Sequence, residues 1–405
     1  MTNSISCVDR NDCFGCTACM SICKLSAITM KADSEGFMAP VLNESLCVNC
    51  GQCKNVCPAI QKWESTNPNQ NEYYYYQNPD DLVLEKSTSG GAFMGIVESV
   101  EKPWVGGCIE DENLYIKHII TNDPDQISLM QGSKYTQSDI GDTFKQVKDA
   151  LERDEQVVFS GTSCQIHGLL NYLEAVNVSR DKLVTIDLIC HGVPSNLMHQ
   201  EYIKYYELKK RKKPIRHIFR TKKQGWGTIF ILKNYIQTLD FSRLGHDDKS
   251  LESQLYTNIF FSDLCLREAC YNCPYCTENK PADITLADFW GIEDTDIINN
   301  EKGCSLIIAR NNGKELLRKI KGANKLNEEQ AAIAKKYQKH LITHNDRPTL
   351  RDDFWNDYYK YGFEFVAKKY LRAGFKYKIL IFAYNYFKLF KHKRVAARLG
   401  NKIYY

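Results

Sequence analysis

Eight cysteines open the chain in two runs of identical spacing, Cys13, Cys16, Cys19, Cys23 and Cys47, Cys50, Cys53, Cys57, each reading C-x2-C-x2-C-x3-C. Three thiolates in so tight a loop can cap three irons of one 4Fe-4S cubane, while the fourth leaves the loop and reaches the neighbouring cluster. That rule assigns Cys13, Cys16, Cys19 and Cys57 to one cluster and Cys47, Cys50, Cys53 and Cys23 to the other. Paired zinc knuckles are the rival, but zinc sites favour cysteine pairs across a longer gap. Pro58 follows the second run as is usual, whereas Lys24 follows the first. A lysine held near that sulfur raises the reduction potential, because reduction adds negative charge. Cys7 stands outside the pattern and is given no role.

A third group lies in "CLREACYNCPYC", with Cys265, Cys270, Cys273 and Cys276. Here too iron-sulfur binding is preferred over zinc, since Cys270, Cys273 and Cys276 repeat the C-x2-C-x2-C loop. Two more cysteines fall at predicted strand ends. "EQVVFSGTSCQIHGLLNYL" reads as strand, glycine turn and helix, which puts Cys164 at a helix N-terminus, where the dipole lowers a thiol pKa. "LVTIDLICHGVPS" reads as a buried strand ending at Cys190 and His191. In open α/β sheets that edge is where ligands bind. His191 is the candidate catalytic proton donor, its reference pKa being near neutrality, with a packing histidine the equal alternative.

These groups need elements to position them. The 405 residues are too many for a small ferredoxin alone. We expect an α+β ferredoxin domain over residues 1–63 fused to an α/β body and a helical, basic C-terminal tail. The body divides into residues 64–150 and 151–348, and the tail covers 349–405. "QKWESTNPNQNE" reads as the linker. "STSGGAF", Ser87 to Phe93, places small residues at a helix start, which alone reads as a cap more readily than as a phosphate seat. "FRTKKQGWG" joins Arg220, Lys222 and Lys223 to Trp226, a patch suited to an acidic group. Asp283, Asp288 and Trp290 read as structural at least as readily as catalytic.

A net charge of +4 and 25% charged residues point to no particular partner and give no sign of nucleic-acid binding. No run approaches the roughly 18 apolar residues of a membrane span. The longest apolar stretch, "ILIFAYNYFKLF", is flanked by lysines, and membrane contact is not expected. The first residues lack the basic start and apolar run of a signal peptide, and with seventeen clustered cysteines this suggests a reducing, cytoplasmic setting.

Taken in order, "GSKYTQSDIGDTF", "FSGTSCQIHGLL", "CHGVPS", "RTKKQGWG", "CYNCPY" and "ADITLADFWG", downstream of the cysteine runs, resemble the coenzyme F420 hydrogenase/dehydrogenase beta-subunit family in its ferredoxin-fused form. The resemblance runs from Asn11 to about Asp346. It implies a flavoprotein body carrying FAD beside a third 4Fe-4S cluster, held by Cys164, Cys190, Cys270 and Cys273, with Cys276 or Cys265 able to replace one of them. It implies flavin contacts at Ser87, Ser89, Gly90, Gly91 and Lys134, with Arg220 available for the FAD pyrophosphate or an acidic substrate. Ser163 and Ala287 stand where the family usually has Pro and Gly. The implied function is an iron-sulfur oxidoreductase passing electrons between its clusters and a small-molecule substrate through FAD, fed by reduced ferredoxin or another carrier. The alternative is an electron-transfer beta subunit of a hydrogenase or dehydrogenase complex, with coenzyme F420 as a candidate substrate.

Overall fold

The computed structural model describes residues 4–63, 71–220, 222, 226, 238–240, 251–297 and 302–371. Most of the linker, residues 64–70, and the tail beyond residue 371 lie outside that set.

In the N-terminal unit, helices α1 (Ala18–Ile22) and α2 (Gln52–Asn55) each begin after a left-handed residue, Thr17 at φ 65° and Gly51 at φ 80°. Between them runs an antiparallel hairpin of β1 (Ile28–Ala32) and β2 (Met38–Leu42). Its turn presses on the body. Gly36 has φ 81°, and a Cβ there would lie 2.2 Å from the Leu197 Cβ, so only glycine satisfies both the backbone and the contact.

The body is built on one eight-stranded mixed sheet. Its first strands are β3 (Glu72–Tyr76), β4 (Trp104–Glu110) and β5 (Ile116–Thr121), with short helices α3 (Asp81–Lys86), α4 (Ala92–Glu98) and α5 (Pro124–Leu129) beside them. Then come α6 (Thr143–Glu152), β6 (Val157–Ser160), α7 (Ser163–Ala175), β7 (Leu183–Leu188) and α8 (Asn196–Lys210). Strands β8 (Arg216–Ile218) and β9 (Thr238–Asp240) form a separate pair. Helix α9 (Leu251–Phe261) leads to β10 (Ile284–Asp288), β11 (Ser305–Ala309), α10 (Asn311–Lys319), β12 (Ala323–Lys325) and α11 (Glu328–Lys336). The spatial order is β12-β3-β11-β10-β7-β6-β4-β5. The four central strands β10, β7, β6 and β4 are mutually parallel, so their C-terminal ends share one edge. The sheet thus draws strands from both sequence segments, 64–150 and 151–348.

Helix α7 joins the two units. Its buried Ile166, Leu169, Leu170 and Leu173 follow helical spacing and pack in one core with Ala18, Ile22 and Val56 of the N-terminal unit and Phe144, Val147 and Phe159 of the body. A second core forms where α8 and α9 meet α12 (Arg351–Tyr361) and α13 (Phe363–Lys369). The described part of the expected tail, up to residue 371, carries these two helices docked on the chain's own body. No helix among the described residues is long and apolar enough to cross a membrane.

Arg351 ties α12 to the ferredoxin turn. Its Nη1 and Nη2 donate to the two carboxylate oxygens of Glu35 at 2.9 and 2.5 Å, and Nη2 also reaches the Leu266 carbonyl at 3.2 Å. Glu268 lies 3.2 Å from Nη1. Because the guanidinium is buried, its loss leaves partly buried carboxylates without their cation. Arg351→Ala should lower stability by about 3 kcal/mol in denaturant unfolding, with faster proteolysis of the ferredoxin unit. A wild-type denaturation midpoint would contradict this role.

Candidate iron-sulfur centres

The loops before α1 and after α2 turn their sulfurs toward one another. Burial pushes Cys16 well above the usual thiol range, and Cys57, Cys19 and Cys13 push it further. Burial likewise raises Cys19, with Cys13, Cys57 and Cys53 adding to it. Cys57 is pushed up to about 11 by burial and then by Cys13. The structure therefore brings together Cys13, Cys16, Cys19 and Cys57, the set grouped from spacing. Cys53 lies near Cys50. Cys23, the C-cap of α1, packs against the core that contains Cys53.

Backbone amides point at these sulfurs. Gly15 N–H donates to Cys13 Sγ at 3.4 Å, Ala18 to Cys16, Met20 to Cys19, and Ala59 and Ile60 to Cys57. Thiols so buried and so close ionise together only when a cation sits among them, and amide donors then stabilise the thiolates. The donor set fits a 4Fe-4S cluster.

At the sheet's C-terminal edge a second gathering appears. Cys164 is the second residue of α7, after a capping box of Thr162 and Gln165, as the strand-turn-helix reading predicts. Cys190 follows β7. Cys270 and Cys273 come from the short turn Glu268–Asn272 and its C-cap. The expected dipole effect on Cys164 is overturned. Burial pushes its thiol up to about 12, and although Thr162 Oγ1 at 3.1 Å lowers it, Cys273 and Cys190 raise it again. Cys190 rises to about 11 through burial and then Cys273, and Cys270 rises through burial and then Cys190, Cys273 and Cys164.

Cys276 also belongs to this gathering. It shares a hydrogen bond with Cys273 that pulls Cys273 down and pushes Cys276 up. Cys265 does not belong. It is buried in the second core, where its Sγ donates to the Ile259 carbonyl at 3.5 Å, and its charged neighbours are Arg351, Asp263 and Glu35. Gly192 and Val193 supply backbone donors to Cys190 and Cys270. The residues again fit a thiolate-bound cluster, with five cysteines available for four ligand positions.

The two gatherings meet along α7. A Cβ on Gly168 would lie 2.8 Å from Cys16 Sγ, so that sulfur rests on the helix backbone itself. Gly168 is one turn beyond Cys164, about 6 Å along the axis. Tyr275 fills space beside both groups: the thiols of Cys164, Cys16, Cys273 and Cys57 all push its hydroxyl up, and that hydroxyl pairs with His167 Nδ1 at 2.8 Å.

Sequence reasoning missed Lys280, Asp187 and Arg267 here. Lys280 Nζ donates to the Tyr275 carbonyl at 2.6 Å and to Ser163 Oγ at 3.2 Å, and Ser163 Oγ donates to Asp187 Oδ2 at 2.7 Å. The serine at the family's usual proline position thus has its own partners. Arg267, also buried, lies beside Cys13, Cys270, Cys164 and Cys16. The available signal was the adjacency of Arg267 and Lys280 to the third cysteine run.

His191 has both ring nitrogens engaged. Nε2 lies 2.6 Å from Asp263 Oδ1, and Nδ1 lies 3.1 Å from His340 Nε2. Asn345 Nδ2 holds its carbonyl at 3.0 Å. The arrangement positions the segment that carries Cys190. His340 is pushed down to about 4 by burial and then by His191, so it is neutral at pH 7.

The residues expected to touch a flavin gather at one corner, but their polar groups are spent on the protein. Ser87 Oγ donates to the Val83 carbonyl, Ser89 Oγ to the Cys304 carbonyl, and Gly90 N–H to Ser305 Oγ, at 2.7, 2.8 and 2.9 Å. A Cβ on Gly90 would lie 2.1 Å from the Tyr76 carbonyl oxygen, so strand packing alone demands that glycine. Gly91 is the left-handed N-cap of α4. Lys134 Nζ lies within 2.8 to 3.2 Å of four carbonyls at the end of α5. Arg220 pairs with Asp288 at 2.5 Å and lies over Trp290, which stacks on Trp226. Lys222 Nζ donates to the Ser89 and Lys302 carbonyls. In this corner Lys134 and Lys222 donate to neutral main-chain oxygens, while Arg220 is paired with Asp288.

One further group joins Glu110, His199 and His217, with ligand atoms within 4.8 Å. His199 Nε2 and His217 Nδ1 are 2.9 Å apart, and Glu110 accepts the His217 backbone N–H. Lys134 and Arg216 already place positive charge beside Glu110. We read the group as a hydrogen-bonded buried pair rather than a metal site.

Cys190→Ser should lose about four irons per chain, while Cys265→Ser keeps the wild-type content. Gly168→Leu should displace Cys16 and weaken the neighbouring cluster's EPR signal. Equal iron loss in the two cysteine variants would contradict the assignment.

A family model for the C-terminal region of the coenzyme F420 hydrogenase/dehydrogenase beta subunit matches residues 154–333, and a 4Fe-4S dicluster domain model matches residues 12–60. One of the subunits of the F420H2 dehydrogenase of Methanosarcina mazei is 22% identical over 195 residues, 45% of this chain and 54% of that protein. The chain thus spans about half the length of the curated relative it matches. It is also similar to a chain of the F420-reducing NiFe hydrogenase complex from Methanosarcina barkeri, with a TM-score of 0.41 and 15% identity, over 69% of this chain and 93% of that one. Residues 12–60 thus match a 4Fe-4S dicluster domain and residues 154–333 the C-terminal region of the coenzyme F420 hydrogenase/dehydrogenase beta subunit, the two parts that the sequence resemblance implies, in that order.

Proposed function

We propose that the chain is the electron-transfer subunit of an oxidoreductase, moving electrons between a ferredoxin-type entry and a third centre at the sheet edge. The observation that carries this reading is the contact of Cys16 Sγ with the backbone of α7, one turn from Cys164. Bound clusters supply one-electron transfer. The protein's own residues supply placement. Cys13, Cys16, Cys19 and Cys57 hold one group against α7, while Cys164, Cys190, Cys270 and Cys273 hold the next. Phe14, Tyr275 and Ala269 form a small apolar cluster with Cys164 and Cys273 packed against it, which excludes water between the groups. His191, fixed by Asp263 and His340, steadies Cys190.

This favours the electron-transfer alternative over a self-contained flavoenzyme. By the name of the Methanosarcina mazei relative, reduced coenzyme F420 is the first two-electron partner to test, and a larger dehydrogenase assembly is the setting it suggests. A bound flavin would supply the two-electron to one-electron exchange that such a hydride donor needs before the clusters can accept its electrons.

Anaerobically purified protein should carry about twelve irons per chain, the complement of three clusters. In stopped-flow reduction by ferredoxin, all clusters should bleach in the wild type. In Cys190→Ser only the two ferredoxin clusters should respond. Eight irons in the wild type, with no change in Cys190→Ser, would overturn the reading. Adding FAD to the same sample tests the flavin alternative separately, through stoichiometric uptake and fluorescence quenching.

A further inference from the structure

We propose that Arg267 is a positioning residue that clamps the ferredoxin unit to the body and sets the reduction potentials of the two cysteine groups on either side of it. The inference rests on the reading that Cys164, Cys190, Cys270 and Cys273 hold a cluster.

The side chain is buried at 4% exposure. Nη1 donates to the Cys13 carbonyl at 2.8 Å and Nη2 to the Met38 carbonyl at 2.9 Å, both in the ferredoxin unit. Nε donates to Gln137 Oε1 of the body at 2.7 Å, and Gln137 Nε2 passes the link on to the Phe14 carbonyl at 2.8 Å. Its own backbone N–H is fixed on the Val193 carbonyl, three residues after Cys190. A Cβ on Gly15 would come within 2.6 Å of Nη2, so the first cysteine loop closes directly over the guanidinium. One planar fork therefore joins three segments, a task that suits arginine better than lysine.

Among the described residues no carboxylate pairs with its guanidinium. All three side-chain acceptors are neutral oxygens, and the thiols facing it, in falling order of effect, are Cys13, Cys270, Cys164 and Cys16. Two belong to each group. A buried cation with neutral partners favours the added electron on both sides of it, which raises both potentials. Lys280 provides a contrast within the same protein. It acts on Cys190, Cys273 and Cys276, all at the third group.

The test is an EPR-monitored redox titration of the anaerobic holoprotein with iron counted on every sample, for wild type, Arg267→Gln, Arg267→Lys and Lys280→Met. Arg267→Gln should lower the midpoints of two clusters and leave the one held by Cys47, Cys50 and Cys53 in place. Arg267→Lys should restore most of that shift, and Lys280→Met should lower the third cluster alone. Full iron with wild-type midpoints in Arg267→Gln overturns the proposal. If that variant does not fold, Arg267→Lys decides: midpoints near wild type support it, and a fall at both clusters with full iron overturns it. Eight irons in the wild type would sink the third-cluster reading instead, and the shift at the first ferredoxin cluster alone then decides the role of Arg267.

Discussion

Two sets of thiols, each requiring ionisation to hold metal, lie buried or half-buried beside α7, with Cys16 against Gly168 and Cys164 one turn away. Bringing so much incipient negative charge into an apolar core is costly unless cations and directed amides offset it. Much of the local structure answers that demand. Short turns with left-handed residues aim backbone N–H groups at sulfur, Gly168 and Gly15 remove side chains where sulfur or guanidinium must approach, and Arg267 and Lys280 bring buried positive charge. The metal sites and the packing between units are therefore one problem. A core that lets Ile22 and Val56 share neighbours with Leu169 and Phe159 also fixes the spacing of the two cysteine groups.

Two sequence-separated devices hold this geometry. Arg267 works from inside the contact, and Arg351 works at its rim, where it grips Glu35 in the ferredoxin turn. Both arginines use planar, multi-point bonding, which fixes orientation as well as distance. The parallel arrangement of β6 and β7 does the rest, delivering Cys164 and Cys190 to one edge without any long excursion of the chain.

What could be read from the sequence divides by range. The eight ferredoxin cysteines were legible because their spacing is local chemistry, and the strands before Cys164 and Cys190 were legible from short β-branched runs ended by glycine or proline. The exclusion of Cys265 was not, because its direction depends on how the segment after α9 enters the second core. The Cys164 thiol shows the same limit. A helix N-terminus is visible in sequence, but the burial that outweighs it comes from segments distant in sequence, Phe14, Ala269 and Tyr275 among them. Ser87 to Gly91 illustrates the converse. Small residues at a helix start suggest a ligand, yet Gly90 is required by the Tyr76 carbonyl and Ser89 is occupied by Cys304. Arg267 went unnoticed because its partners, Cys13, Met38 and Gln137, are more than a hundred residues away in sequence.

In the proposed arrangement two redox groups sit side by side across α7, and magnetic coupling between them is the direct measure of it. EPR of the fully reduced protein should show the cluster held by Cys13, Cys16, Cys19 and Cys57 split or broadened by a paramagnetic neighbour at the third site, beyond any coupling within the ferredoxin. That extra broadening should vanish in Cys190→Ser while both ferredoxin signals persist. Identical spectra in wild type and Cys190→Ser, with full iron in the wild type, would contradict the account.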